Sequence, residues 1–296
     1  MYTEGVKGMM KILSLLAIVF LVSACSDEVE EVLIEKEELS DFSTDYDVLA
    51  WEIVYKSDDY LIEGYVVSPG DEGEKYPTLI INRGGNRDYG EIEEEWLAHY
   101  EAFWADQGYT VISSQYREGG NSEGVDEFGG DDVNDVLQLE HVARGIEFAA
   151  EDEIFMFGFS RGGLMTYRAI QEGMPVQAAA TLGGVSDLMG AYEARGLAMR
   201  QMLVELVGHP AEVPEEYERR SAMEWVVDIN VPLLLIHGEE DEAVPFQQSL
   251  QLYEALKEEG QETKLVSYEE GDHSLHDFFV EYTSEVAEWF ETYKQK

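Results

Sequence analysis

Beyond residue 75, the runs Leu79-Ile80-Ile81, Val111-Ile112, Ile154-Phe155-Met156-Phe157 and Leu233-Leu234-Leu235-Ile236 are apolar at consecutive positions. That pattern belongs to strands covered on both faces. Val176–Leu182 adds a strand of small residues and Thr263–Tyr268 a further one. Helical spacing falls between them, in Trp96, Tyr100, Phe103 and Trp104, then in Val133, Val136, Leu139 and Val142. It returns in residues 247–259 and in Leu275, Phe278, Phe279, Tyr282, Val286, Trp289 and Phe290. Ahead of this alternation, Trp51–Lys56 and Leu61–Val67 are β-rich runs around a polar Ser57-Asp58-Asp59-Tyr60 turn. Residues 187–221 carry no strand pattern. Their Met and Leu spacing predicts connecting helices, with a small lid over a pocket as the alternative. The expected fold is α/β: a doubly wound, mostly parallel sheet with helices on both faces, over residues 49–296.

The densest signal is Ile154 to Gly163, an apolar strand ending in Gly158-Phe159-Ser160-Arg161-Gly162 and passing directly into a helical stretch. A strand that reverses into a helix within so few residues brings backbone against backbone, and glycines on both sides of Ser160 remove the Cβ atoms that would collide. Ser160 is then exposed at the tip of the turn, as a nucleophile must be, with the Arg161 amide and a helix N-terminus facing any oxyanion. The paired glycines of Asn82-Arg83-Gly84-Gly85-Asn86-Arg87, also after a buried strand, are candidates for a second oxyanion donor. Arg161 itself is expected to pack on the surface of the helix, or else to contact an anionic substrate group.

A serine hydroxyl needs a base, and the base an orienting acid. Of six histidines, His273 lies in the loop between the last strand and the last helix, on the edge where parallel strands end. His276 is its alternative. His237 reads as structural, and His99 and His141 fall within helical patterns. Asp241 follows the penultimate strand, so Ser160, Asp241 and His273 come in the order, and at the strand ends, that an acyl-transfer triad on a parallel sheet requires.

Charge and the N-terminus define the setting. The formal net charge of −44 excludes nucleic acid as a partner, because phosphate binding needs a basic face. With one cysteine there is no internal disulfide, and no His/Cys/Asp cluster has metal-ligand spacing, so neither metal nor organic cofactor is expected. Lys7 and Lys11, the short apolar run Ile12–Val22 and Ser23-Ala24-Cys25 make a signal peptide over residues 1–24. Val22-Ser23-Ala24-Cys25 resembles a bacterial lipobox, which implies a lipidated Cys25 and an extracytoplasmic membrane lipoprotein; ordinary secretion is the alternative. Residues 25–48, rich in Glu and Asp, read as a solvated tether.

His237-Gly238-x-x-Asp241-x-x-Val244-Pro245, with Gln248-Ser249, Tyr253, Ala255-Leu256-Lys257, Gly260 and then Gly271-Asp272-His273, is similar to the catalytic domain of the prolyl oligopeptidase family. So is Tyr217-x-x-x-Ser221 ahead of Ile229-Asn230-Val231-Pro232. The likeness spans about residues 50 to 295. It implies an α/β-hydrolase fold with Ser160 as nucleophile, Asp241 as orienter, His273 as base and the Arg161 amide in the oxyanion hole. The chain departs from the family pattern in two places. About 25 tether residues stand where many members carry a β-propeller, and Arg83-Gly84-Gly85 replaces a His-Gly-Gly or tyrosine donor. The expected activity is that of a serine peptidase on short peptides, with a carboxylesterase as the alternative and a non-catalytic surface-binding lipoprotein as a third reading. The expected partner is a small peptide or ester substrate, with membrane contact only through the lipid anchor.

Overall fold

The computed structural model describes residues 32–70 and 73–295. The signal peptide and Cys25 lie outside the described residues. Nine strands form one sheet in the order β1-β2-β3-β5-β4-β6-β7-β8-β9. In chain order these are β1 Leu33–Glu38, β2 Val48–Ser57, β3 Tyr60–Pro69, β4 Tyr76–Asn82, β5 Thr110–Ser114, β6 Ala149–Phe159, β7 Ala178–Leu182, β8 Leu233–Gly238 and β9 Thr263–Tyr268. The pairings β1–β2, β2–β3 and β3–β5 are antiparallel. From β5 through β4 and β6 to β9 every pairing is parallel. The hairpin joining β2 to β3 closes on a Ser57–Tyr60 pair, with Asp58 at φ 53°.

Helices α1 (Glu94–Trp96) and α2 (Ala102–Asp106) are joined by a π-helical turn, Leu97–Glu101. They are followed by α3 (Val133–Gly145), α4 (Arg161–Gln171), α5 (Leu188–Ala194), α6 (Leu197–Leu206), α7 (Pro214–Arg219), α8 (Gln247–Glu258) and α9 (Phe279–Tyr293). Alternation along β6 divides the core. Ile154 and Met156 join the apolar faces of α3, α4 and α8 on one side, while Phe155 and Phe157 meet Trp104 and the Tyr282, Val286 and Phe290 stripe of α9 on the other. The short side chains Ala178-Ala179-Ala180 let α4 and α9 approach β7 from opposite faces. Residues 187–221 contain α5 to α7 and no strand, and Leu188, Ala191, Leu203 and Tyr217 bury into the core as connecting helices do.

The expected tether needs correction. Leu33–Glu38 is an edge strand, and Leu39, Phe42 and Tyr46 pack on the core, so the folded unit begins at Val32 instead of residue 49. The reason is that β1 is held by backbone pairing to β2. Its side chains, all exposed beyond Leu33, carry no alternation that could announce it.

Candidate active site

β6 lies between β4 and β7, so its C-terminal end opens at the middle of the parallel segment. There Ser160 takes φ 54° and ψ −117°, a region that costs an L residue roughly 1–3 kcal/mol and persists only where its surroundings dictate it. Three backbone bonds do so: Ser160 donates its N–H to Leu182 O at 2.9 Å, and its carbonyl accepts from Gly163 at 3.0 Å and Val185 at 3.3 Å. The flanking glycines are sterically required. A Cβ on Gly162 would fall 1.9 Å from Asn82 O, and one on Gly158 would fall 2.3 Å from Gly162 O. The N–H of Arg161, first residue of α4, has no acceptor within the helix. All seven non-glycine residues with positive φ among the described residues (Asp58, Arg87, Tyr116, Glu118, Phe128, Ser160 and Leu275) lie at this end of the sheet.

The loops after β8 and β9 bring an acid and a base together. His273 Nδ1 lies 2.7 Å from Asp241 Oδ2. The other carboxylate oxygen, Oδ1, accepts the amides of Ala243 at 2.7 Å and Val244 at 2.8 Å. Burial pushes the Asp241 carboxyl up, but hydrogen bonds from His237 and His273, the charge of His273 and the Val244 amide outweigh it and hold the group well below the usual carboxylate range. The carboxylate is wholly buried and the imidazole of His273 one-third exposed, so the Asp–His pair is open on the histidine side only. Gly183, just past β7, links this pair to the serine: its neighbour Leu182 holds the Ser160 amide. A Cβ on Gly183 would sit 3.1 Å from His273 Nδ1 and 3.3 Å from Asp241 Oδ2. His276 is exposed, in a 3-10 turn before α9.

The other wall is the loop after β4. Gly84 lies against the serine, its Cβ direction meeting Ser160 Cβ at 3.3 Å, whereas Gly85, at φ 74°, turns the chain under Tyr89 O. Among the described residues neither amide has a protein acceptor. The loop's carbonyls are gathered inward by the buried Arg83 guanidinium, which donates to Gly84 O at 3.1 Å, Arg87 O at 2.8 Å and Gly90 O at 3.2 Å, and across to Gln115 O at 2.5 Å. Burial and the nearby Arg161 charge lower Arg83 to about 10.

Arg161 corrects an expectation. Its side chain neither lies on the helix surface nor faces a substrate. It is buried between Asp126 and Asp132, each 2.6 Å away and each with its carboxylate fully buried, with Gly85 O at 3.2 Å. The rings of Tyr116 and Phe128 flank it, each 5.1 Å from the guanidinium carbon. Burial alone would lower its pKa, yet the two aspartates hold it above the ordinary arginine value. The acidic, glycine-rich loop after β5 folds back over the start of α4 to supply both carboxylates. Asp132 therefore does not cap α3 with its side chain; it accepts from Arg161 and from the amides of Glu127 and Gly129. Asp126 also accepts the Arg87 amide at 2.8 Å, so one carboxylate joins the Gly84–Gly85 loop to the helix that follows Ser160.

Residues 96–296 match the prolyl oligopeptidase family. The chain belongs to that family. It is 34% identical over 212 residues to an uncharacterized peptidase, YtmA, of Bacillus subtilis, covering 71% of this chain and 80% of that protein. Among solved structures it resembles the acylaminoacyl peptidase of Pyrococcus horikoshii, with TM-score 0.72 and 27% identity over 84% of this chain but 42% of that one. An acetyl xylan esterase from Paenibacillus sp. R4, at 17% identity and TM-score 0.69 over 88% of both chains, shares the fold. The sheet is thus that of an α/β-hydrolase, and this prolyl oligopeptidase family member is a serine hydrolase.

Within this member, sequence reasoning missed Gly183, Asp126 and Asp132. Gly183 follows β7 with nothing to mark it except its own lack of a side chain. The two aspartates stand in a stretch so rich in carboxylates that no spacing singles them out. Among the described residues no group of His, Cys, Asp and Glu is arranged to hold a metal ion, and no helix is long and apolar enough to cross a membrane.

Proposed function

We propose that the chain is a serine peptidase acting on short peptides through an acyl-enzyme at Ser160. In this reading His273 takes the Ser160 proton as the hydroxyl attacks the scissile carbonyl, while Asp241 holds the Nδ1–H tautomer and stabilises the imidazolium that forms. The Arg161 amide and an amide of the Gly84–Gly85 loop receive the oxyanion, Gly84 being the glycine that touches Ser160. The protonated His273 then gives its proton to the leaving amine, and water, deprotonated by the same imidazole, releases the acid. The observation that carries the reading is the 2.7 Å His273–Asp241 bond held beside a serine whose backbone is forced into an uncommon conformation. The peptide preference rests on the likeness to YtmA over most of that protein's length.

The test compares the full chain with its Ser160→Ala variant on short peptide p-nitroanilides, proline at the cleaved position included, and on p-nitrophenyl esters. Anilide cleavage lost in the variant is the expected result. Ester cleavage alone would replace the peptidase reading with a carboxylesterase. Full activity in Ser160→Ala would overturn the assignment of the nucleophile.

A further inference from the structure

A second side chain reaches the buried carboxylate. His237, the penultimate residue of β8, is completely buried, and its ring is tied at both nitrogens. Nε2 lies 3.1 Å from Asp241 Oδ2 and 2.9 Å from Val244 O, and Nδ1 lies 2.7 Å from Ser249 Oγ, at the start of α8. The edge of the Phe246 ring closes the pocket, 5.8 Å away.

These contacts determine the tautomer. Nε2 faces two acceptors, a carboxylate and a carbonyl, so it carries a proton that both share. Among the described residues the Ser249 hydroxyl has no acceptor other than Nδ1. A proton on Nδ1 would leave that buried hydroxyl unsatisfied, at about 1–3 kcal/mol. The proton of His237 is therefore on Nε2, donated to Val244 O beside Asp241 Oδ2, and Ser249 sets this tautomer.

The consequence lies in the geometry of Asp241. Oδ1 is saturated by the Ala243 and Val244 amides, and Oδ2 receives His273 from one side and His237 from the other. With three hydrogen bonds in place and the His237 ring 3.1 Å from Oδ2, the carboxylate has one orientation, and in it Oδ2 faces His273. Resting on the reading of Ser160, Asp241 and His273 above, we infer that His237 is a positioning residue for the reaction: it fixes the Asp241 carboxylate, and through Val244 O the loop that carries it, so that His273 keeps its Nδ1–H toward the acid and Nε2 toward the serine. Ser249 acts one step further out, by holding the His237 tautomer.

The experiment uses the full chain with His237→Leu, His237→Gln and Ser249→Ala. The readouts are p-nitrophenyl butyrate hydrolysis, the rate at which a fluorophosphonate labels Ser160, and the downfield proton resonance of the His273–Asp241 bond. Loss of a partner that orients a metal ligand costs about 10- to 100-fold in activity, and an effect of that order is expected for a partner that orients Asp241. In His237→Leu, kcat and the labelling rate should fall by at least about tenfold with KM within about twofold, and the downfield resonance should shift or vanish. Glutamine can offer an amide N–H to Oδ2 and Val244 O and its carbonyl to Ser249, so His237→Gln should recover most of the loss. Ser249→Ala frees the imidazole to place a bare Nε2 against two acceptors and should cost about threefold or more, again in kcat. Should His237→Leu fail to fold, Ser249→Ala and the resonance decide alone. Wild-type kcat in both variants with an unmoved resonance would overturn the inference while leaving the Ser160 assignment intact. Retained activity in Ser160→Ala, measured alongside, would instead break the reading beneath it.

Discussion

Removing the Arg161 side chain is the perturbation whose outcome the structure constrains most tightly. Arg161→Met keeps length and apolar bulk between Tyr116 and Phe128 but leaves the Asp126 and Asp132 carboxylates, both fully buried, without their cation. Deleting one partner of a buried pair costs about 3–5 kcal/mol, because the charge left behind has lost both water and counter-ion. That is a large part of the 5–15 kcal/mol typical of a folded domain. The partly exposed Arg87, 3.5 Å from Glu118 and Glu205, is the control: its truncation should cost below about 1 kcal/mol. The pH dependence has a definite sign. Burial pushes the Asp126 carboxyl up, but the Arg161 charge and the Arg87 and Phe128 amides bring it below its ordinary 3.8. A depressed carboxylate contributes stability that is present above its unfolded pKa and disappears as pH falls through the folded one. In Arg161→Met the orphaned Asp126 carboxyl binds a proton more readily in the folded state. The gap between wild type and variant is therefore largest near neutrality and narrows toward pH 4. Urea unfolding at pH 7.5 and pH 5 measures this, and Asp126→Asn with Asp132→Asn on the Arg161→Met background should restore much of the loss. A cost below about 1 kcal/mol, or one independent of pH, would refute the argument. Since Asp126 also holds the Arg87 amide and Arg161 the Gly85 carbonyl, kcat should fall in parallel with the mobility gained by the Gly84–Gly85 loop.

Two further outcomes follow from single contacts. Burial raises the Glu101 carboxyl from 4.5 to about 8 against the lowering effect of Ser113 and Trp96, so it is neutral in the folded chain. Its stabilisation is full below pH 4.5 and declines as pH rises through about 8, at about 1.4 kcal/mol per unit. Glu101→Gln should abolish that slope and gain on the order of 4 kcal/mol at pH 7.5, as read from urea unfolding across pH; an unchanged slope would contradict it. Gly183→Ala places a methyl 3.1 Å from His273 Nδ1 on a backbone with φ 58°. It should slow fluorophosphonate labelling of Ser160 about tenfold or more with the fold intact, and unchanged labelling would show that the Asp–His pair tolerates displacement.

How much of this was legible in the sequence depended on whether side chains or backbone carry the information. β6, Ser160 and α4 were readable because an apolar run, two glycines and a helix start must occur together in that order for the turn to close. Asp241 stood among Glu239, Glu240 and Glu242, and only its place after β8 marked it. Its short side chain explains the choice: an aspartate can turn back onto the amides two and three residues ahead, as Oδ1 does here. β1 was hidden because its bonds are main-chain bonds and its side chains face solvent. The π-helical turn at Leu97–Glu101 was equally silent, since its apolar spacing fits an ordinary helix. His237 read as a core histidine, and it is buried as such a residue would be; what could not be read is that Ser249, one helix away, selects its tautomer.

The placement of positive charge gives the acidity of the chain a structural meaning. Nineteen lysines and arginines face 63 carboxylates, yet five arginines are buried: Arg168, which pairs with Glu172 at the far end of α4, and Arg83, Arg117, Arg161 and Arg220. The last four bind the loops at the C-terminal edge of the sheet: Arg83 the carbonyls after β4, Arg117 the Asp58 and Asp135 carboxylates, Arg161 the Asp126 and Asp132 pair, and Arg220 the Glu127 carbonyl. Planar guanidinium groups suit that work, because several fixed donors can collect carbonyl and carboxylate oxygens from separate segments at once. Buried pairs are also screened far less by salt than surface ones. The surface can therefore carry a dense negative field whose repulsion changes with ionic strength, while the loops around Ser160 are held by cations that solvent ions do not reach. What keeps the site in shape is set apart, by burial, from what keeps the surface hydrated.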